Sequence, residues 1–132
     1  VDSSSIQLPD SEIATVRHDA ACLCIHFARA IIIKTMTGSA EKTLWWQAGD
    51  LVIDDPEIQG DLPTGPVTCA GGDIDENVYT YRDMIPMPLE SRGMIRVELR
   101  IKGDAPALIV SGSGIRLQMH GTPKYQRHIR DG

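Results

Sequence analysis

Residues 94–102 read Met-Ile-Arg-Val-Glu-Leu-Arg-Ile-Lys, so that Ile95, Val97, Leu99 and Ile101 alternate with Arg96, Glu98, Arg100 and Lys102. A two-residue period puts every apolar side chain on one face of an extended chain and every charge on the other. In a helix the same residues would be scattered around the axis and leave no coherent apolar stripe. The segment is expected to be a half-buried antiparallel strand whose four apolar residues form one wall of the core.

The same period recurs. Residues 22–30 place Leu23, Ile25 and Phe27 opposite Cys24, His26 and Ala28, and residues 12–18 precede them across the short polar connection Asp19-Ala20-Ala21, which predicts a hairpin. Ile31-Ile32-Ile33 is β-branched and suits a sheet. Residues 43–47 and Leu51-Val52-Ile53 are expected to be extended, as are 67–70 and 77–82, the last two joined at Gly71-Gly72-Asp73. Pro86 and Pro88 assign residues 84–89 to an edge or a crossover. Residues 107–110 return after a turn at Gly103-Asp104, Ser111-Gly112-Ser113-Gly114 interrupts, and Ile115, Leu117 and Met119 alternate again. Residues 39–42 and 90–92 have room for single helical turns.

No run has helical spacing, and turn signals recur every eight to twelve residues. The expectation is an all-β protein, an antiparallel β-sandwich or small barrel of eight or nine short strands. A chain of 132 residues is expected to form a single β domain, with residues 1–11 as a polar lead-in and 121–132 as a basic C-terminal tail.

A net charge of −5 argues against a broad surface for nucleic acid, and no apolar run approaches the roughly 20 residues of a membrane span. Eight acidic residues and no Lys or Arg lie between Asp50 and Glu76. The expected partners therefore exclude nucleic acid and membrane. Three cysteines, Cys22, Cys24 and Cys69, make no disulfide framework; with no leader in view, a reducing cytoplasm is expected.

Motifs with chemistry are incomplete. His18, Cys22, Cys24 and His26 carry metal-ligating atoms, but alternate residues on a strand lie about 6.6 to 6.8 Å apart, so Cys22 and His26 cannot easily share one ion. No metal and no cofactor are expected. Asp73-x-Asp75-x-Asn77 opens like a calcium loop but has Val78 where the turn glycine belongs and Met84 where the bidentate glutamate belongs. Ser111 and Ser113 lack the glycines of a nucleophile elbow, and residues 38–43 have Glu41 where a phosphate loop needs glycine. No catalytic residue is assigned.

The aromatic residues offer the candidate binding surface: Trp45 and Trp46, adjacent and hence on opposite faces of their strand, and Tyr79 and Tyr81, on the same face of theirs. The outward indole is expected to be covered by a loop, by residues 86–88 or by a second copy of the chain. Ser11-Glu12-Ile13 near the start, residues 111–117 near the end and Gly121-x-Pro123-x-Tyr125 resemble small uncharacterised bacterial one-domain β proteins. That resemblance implies a small β chain and assigns no residue a role. The expected function is non-catalytic binding, protein to protein, with homodimerisation. The alternatives are a small-molecule or carbohydrate site in a barrel mouth, and an enzyme with dispersed acid and base groups from His26, His120 and the acidic loops.

Overall fold

The computed structural model describes residues 3–35, 41–103 and 105–130. It consists of nine strands: β1 (Ser3–His18), β2 (Cys22–Thr35), β3 (Glu41–Asp54), β4 (Glu57–Gln59), β5 (Val67–Glu76), β6 (Tyr79–Arg82), β7 (Met84–Met87), β8 (Glu90–Ile101) and β9 (Leu108–Arg130). All pairings are antiparallel and belong to one sheet, in the order β6-β5-β8-β9-β3-β2-β1-β7, with β4 beside β9. This is the expected all-β class. No helix among the described residues is long and apolar enough to cross a membrane.

The sheet curls on itself. β1 also meets β5 at Glu12↔Thr68 and Ile13↔Val67, which closes β1, β2, β3, β9, β8 and β5 into a ring at that level. Beyond this seam β1 and β5 part, β1 pairing with β7 and β5 with β6. The β6–β7 turn sits in the fork: Asp83 N–H donates to the Gly72 carbonyl (2.7 Å), and Leu8 N–H donates to the Asp83 carbonyl (2.9 Å). The Asp83 carboxylate accepts from Gly72 N–H (3.0 Å) and from Arg100 (3.1 Å), so one residue fastens both arms of the fork.

The core fills the ring. Phe27, Ile32, Leu51, Ile53, Ile74, Val97, Leu99 and Val110 have no exposed surface. Ile95, Val97, Leu99 and Ile101 are all buried, as their alternation requires, while Arg100 and Lys102 are exposed. The β1–β2 hairpin forms as expected, its turn held by Asp19, whose carboxylate accepts from the N–H groups of Ala21 (2.8 Å) and Cys22 (3.0 Å).

Several boundaries differ from expectation. Residues 3–11 are not a lead-in but the first half of β1, with Ile6 and Leu8 fully buried. Pro9-Asp10 forms a bulge within that strand: Asp10 takes φ 73° and the register shifts between Gln7 and Glu12. Ser11, buried at the bulge, donates to the Gln7 carbonyl (2.5 Å) and accepts from Ile31 N–H (3.0 Å). Residues 121–130 are likewise no tail; they are the end of β9, paired with β3 as far as Glu41↔Arg130. The β5–β6 turn falls at Asn77-Val78 rather than at Gly71-Gly72-Asp73, and residues 90–92 are strand. Residues 111–114 also lie within β9. Ser39, Ala40 and Asp104 lie outside the described residues.

Candidate functional site

The two tryptophans do take opposite faces of β3. Trp45 pairs with Ile32 on one side and Tyr125 on the other and packs against the core. Its indole N–H donates to Thr43 Oγ1 (2.8 Å), Tyr125 meets it edge-on at 5.3 Å, and the Lys34 ammonium stands 4.3 Å from its ring centre. Trp46 faces outward between Ile31 and Lys124, where the Arg29 guanidinium lies 4.2 Å from its ring centre. The cover found over the outward indole is therefore Arg29, itself paired with Glu12 at 2.6 Å. A cation over an aromatic face is attracted by the ring quadrupole, and its stem shields apolar surface.

Tyr79 and Tyr81 share a face of β6 and stack with ring centres 6.5 Å apart, Tyr81 against the core and Tyr79 60% exposed. They are remote in the chain from Trp45 and Trp46, and none of the aromatic contacts joins the two pairs. Beside Tyr79 is a feature the sequence reading did not single out. Val78, at the β5–β6 turn, is 89% exposed, and Met94, on β8, is 82% exposed. Asn77 binds the two segments together: its N–H donates to the Met94 carbonyl (2.8 Å), its carboxamide oxygen accepts from Met94 N–H (3.0 Å), and its amide nitrogen donates to the Arg92 carbonyl (3.0 Å). Asn77 can serve both turn and clamp because asparagine tolerates the left-handed backbone it adopts here, φ 57°. Next to Met94 a groove of about 560 Å³ runs over the outer face, lined by Asp75, Thr80, Arg96 and Ser111.

The polar groups also converge, at a place only partly foreseen. His26 on β2 and His120 on β9 flank Asp50 on β3, with His26 Nδ1 donating to Oδ1 (2.6 Å) and His120 Nε2 donating to Oδ2 (2.7 Å). An ionised carboxylate only accepts, which fixes the proton on each of those ring nitrogens. Partial burial pushes the Asp50 carboxyl up, but the hydrogen bonds and charges of the two imidazoles outweigh it and hold the group below its ordinary value. The same carboxylate lies against Cys24, whose thiol is pushed up by burial first and by Asp50 second. That is the reverse of an activated nucleophile. Burial pushes Cys69 up to about 12. His18 and Cys22 do not join the group, and among the described residues no three His, Cys, Asp or Glu side chains could hold a metal ion.

The depressed Asp50 acidity fixes the sign of a pH effect. A carboxyl whose folded pKa lies below its unfolded value contributes stability above the unfolded value and loses it as pH falls through the folded one. Thermal melts of wild type and Asp50→Asn are expected to differ above the ordinary value of 3.8 and to converge as pH drops below it. A gap that widens toward acid would show that the imidazoles do not stabilise the ionised form.

Compared with protein-family models, with curated proteins and with solved structures, the chain matches none.

Sequence reasoning offered His26 and His120 as acid and base groups but did not place Asp50 between them, and it offered Tyr79 but not Val78 or Met94 as a binding residue. Asp50 follows Gly49 and so reads as a strand boundary, although both lie inside β3. Met94 is in phase with Arg96 and Arg100, so alternation already points it outward, but at the end of the run it reads as one more strand residue rather than as an exposed anchor.

Proposed function

We propose that this chain works by binding rather than catalysis, as a protein-interaction module whose first partner is a second copy of itself. The observation that supports this reading is the apolar tip: Val78 and Met94, the two most exposed large apolar residues among the described residues, are held side by side by Asn77, which precedes Val78 and bonds to the Met94 backbone. Anchors already held in their bound position lose little entropy on docking. A two-fold dimer needs a surface complementary to itself, and here a protruding Met94 adjoins the groove that carries Asp75 and Arg96. Turned about a two-fold axis, each Met94 enters the other copy's groove, and Arg96 of one copy meets Asp75 of the other.

Sedimentation velocity at micromolar concentration tests the reading. Wild type is expected to sediment as a dimer, and a Val78→Ser, Met94→Ser double variant as a monomer with unchanged circular dichroism. Both substitutions fall on exposed side chains, so the fold is expected to tolerate them. A monomeric wild type, or a dimer indifferent to the double variant, overturns the proposal.

A further inference from the structure

On the outer face of β3, away from the tip, the sheet is interrupted on both sides of Ala48. Between Phe27↔Gly49 and Ala30↔Gln47, β2 carries extra length, and between Trp46↔Lys124 and Ala48↔His120, β9 does so too. Two bulges facing one another across a single strand bow the neighbours apart, and bulges recur where a sheet must re-aim side chains around a site. The result is a hollow of about 310 Å³. Its floor is Ala28 and Ala48, its wall is the Trp46 indole, and Arg29, Lys124 and His120 stand at its rim.

The rim is cationic on a protein whose net charge is −5. Lys124 has no ion-pair partner among the described residues. Arg29 gives one nitrogen to Glu12, but its Nε is buried with no hydrogen-bond partner among them. His120 is turned to its place by Asp50.

We propose that this hollow binds a uronic acid unit of an acidic saccharide. Lys124, which has no carboxylate partner among the described residues, favours an anion, and the Arg29 guanidinium stands beside it. The indole and alanines demand a ring with an apolar face, while the open, polar rim suits a ring edged with hydroxyls. A pyranose carrying a carboxylate meets all three demands, and the volume is at the lower end of small-ligand sites, the size of one or two sugar rings. Arg29 already occupies one face of Trp46, so a nucleobase finds no slot between two planes, whereas a sugar needs a single face.

The chain has two tryptophans, so Trp45→Phe leaves Trp46 as the sole indole reporter. Titration of that variant with digalacturonate is expected to give a saturable fluorescence change with a dissociation constant on the order of 1 mM. Calorimetry on the wild type provides the same constant without relying on the variant. Lys124→Gln, on an exposed side chain, is expected to weaken binding about tenfold, and the methyl ester of the same sugar, which lacks the charge, to bind about tenfold more weakly than the acid. The proposal is overturned by absence of saturable heat and fluorescence change at tens of millimolar, by equal binding of acid and ester, or by tighter binding of adenosine monophosphate.

Discussion

Leu99→Ala is expected to destabilise the protein by about 2 to 5 kcal/mol, whereas its neighbour Arg100→Ala should cost no more than about 1 kcal/mol. Leu99 has no exposed surface and lies at the centre of the ring, where β8 pairs with β5 through Gly72 and with β9 through Leu108. Truncation there removes buried carbons and leaves a cavity that three paired strands are too constrained to collapse. Arg100 is exposed, and its bonds to Asp83 (3.1 Å) and Glu98 (3.7 Å) are surface ion pairs weakened by solvent. Urea melts of the two variants decide it, and equal shifts would mean that β8 faces the other way.

Gly112→Ala should be nearly as damaging, although it adds only a methyl group. A Cβ at that position would lie 2.4 Å from the Asp54 carbonyl oxygen and 2.4 Å from Ile53 Cγ2. One of these is main chain, which cannot swing aside, so β9 or the end of β3 must move; overpacking of this kind costs about 1 to 3 kcal/mol, and the backbone contact places Gly112 toward the upper end. Gly60 supplies the contrast. It has φ 78° and nothing within 4 Å of a built Cβ, so Gly60→Ala meets only the left-handed backbone penalty of about 1 to 2 kcal/mol. Thermal melts should place Gly112→Ala below Gly60→Ala; the opposite order would remove the close approach of β9 to β3.

Glycine also explains where the sequence was hard to read. Gly71-Gly72 and residues 111–114 look like turns, yet both lie inside strands. At Gly72 a Cβ would stand 2.4 Å from the Glu98 carbonyl, so that glycine serves proximity between strands. The turn beyond it fell to Asn77. Alternation, by contrast, was dependable wherever one face is core and the other is water, as in residues 95–101 and 22–27. It faded in β1, where Ser3, Ser4 and Ser5 precede Ile6 and a bulge then shifts the register. The site was legible residue by residue and not as a whole, because His26, Asp50 and His120 are brought side by side only by the β2–β3 and β3–β9 registers.

The position of β9 bears on how the chain comes to be folded at all. It follows every other element in sequence, yet it lies in the interior of the sheet, between β3 and β8, and it also takes β4. Until it is made, β1 to β3 and β5 to β8 are two sheets that meet only along β1, at β5 and at β7, and the ring around the core stays open between β3 and β8. A nascent chain that stops short of β9 therefore carries most of the core residues and cannot enclose them completely. Of the nine described strands, β9 is made last and is the one that closes the two half-sheets around the core, so chaperone protection would matter most just before it appears.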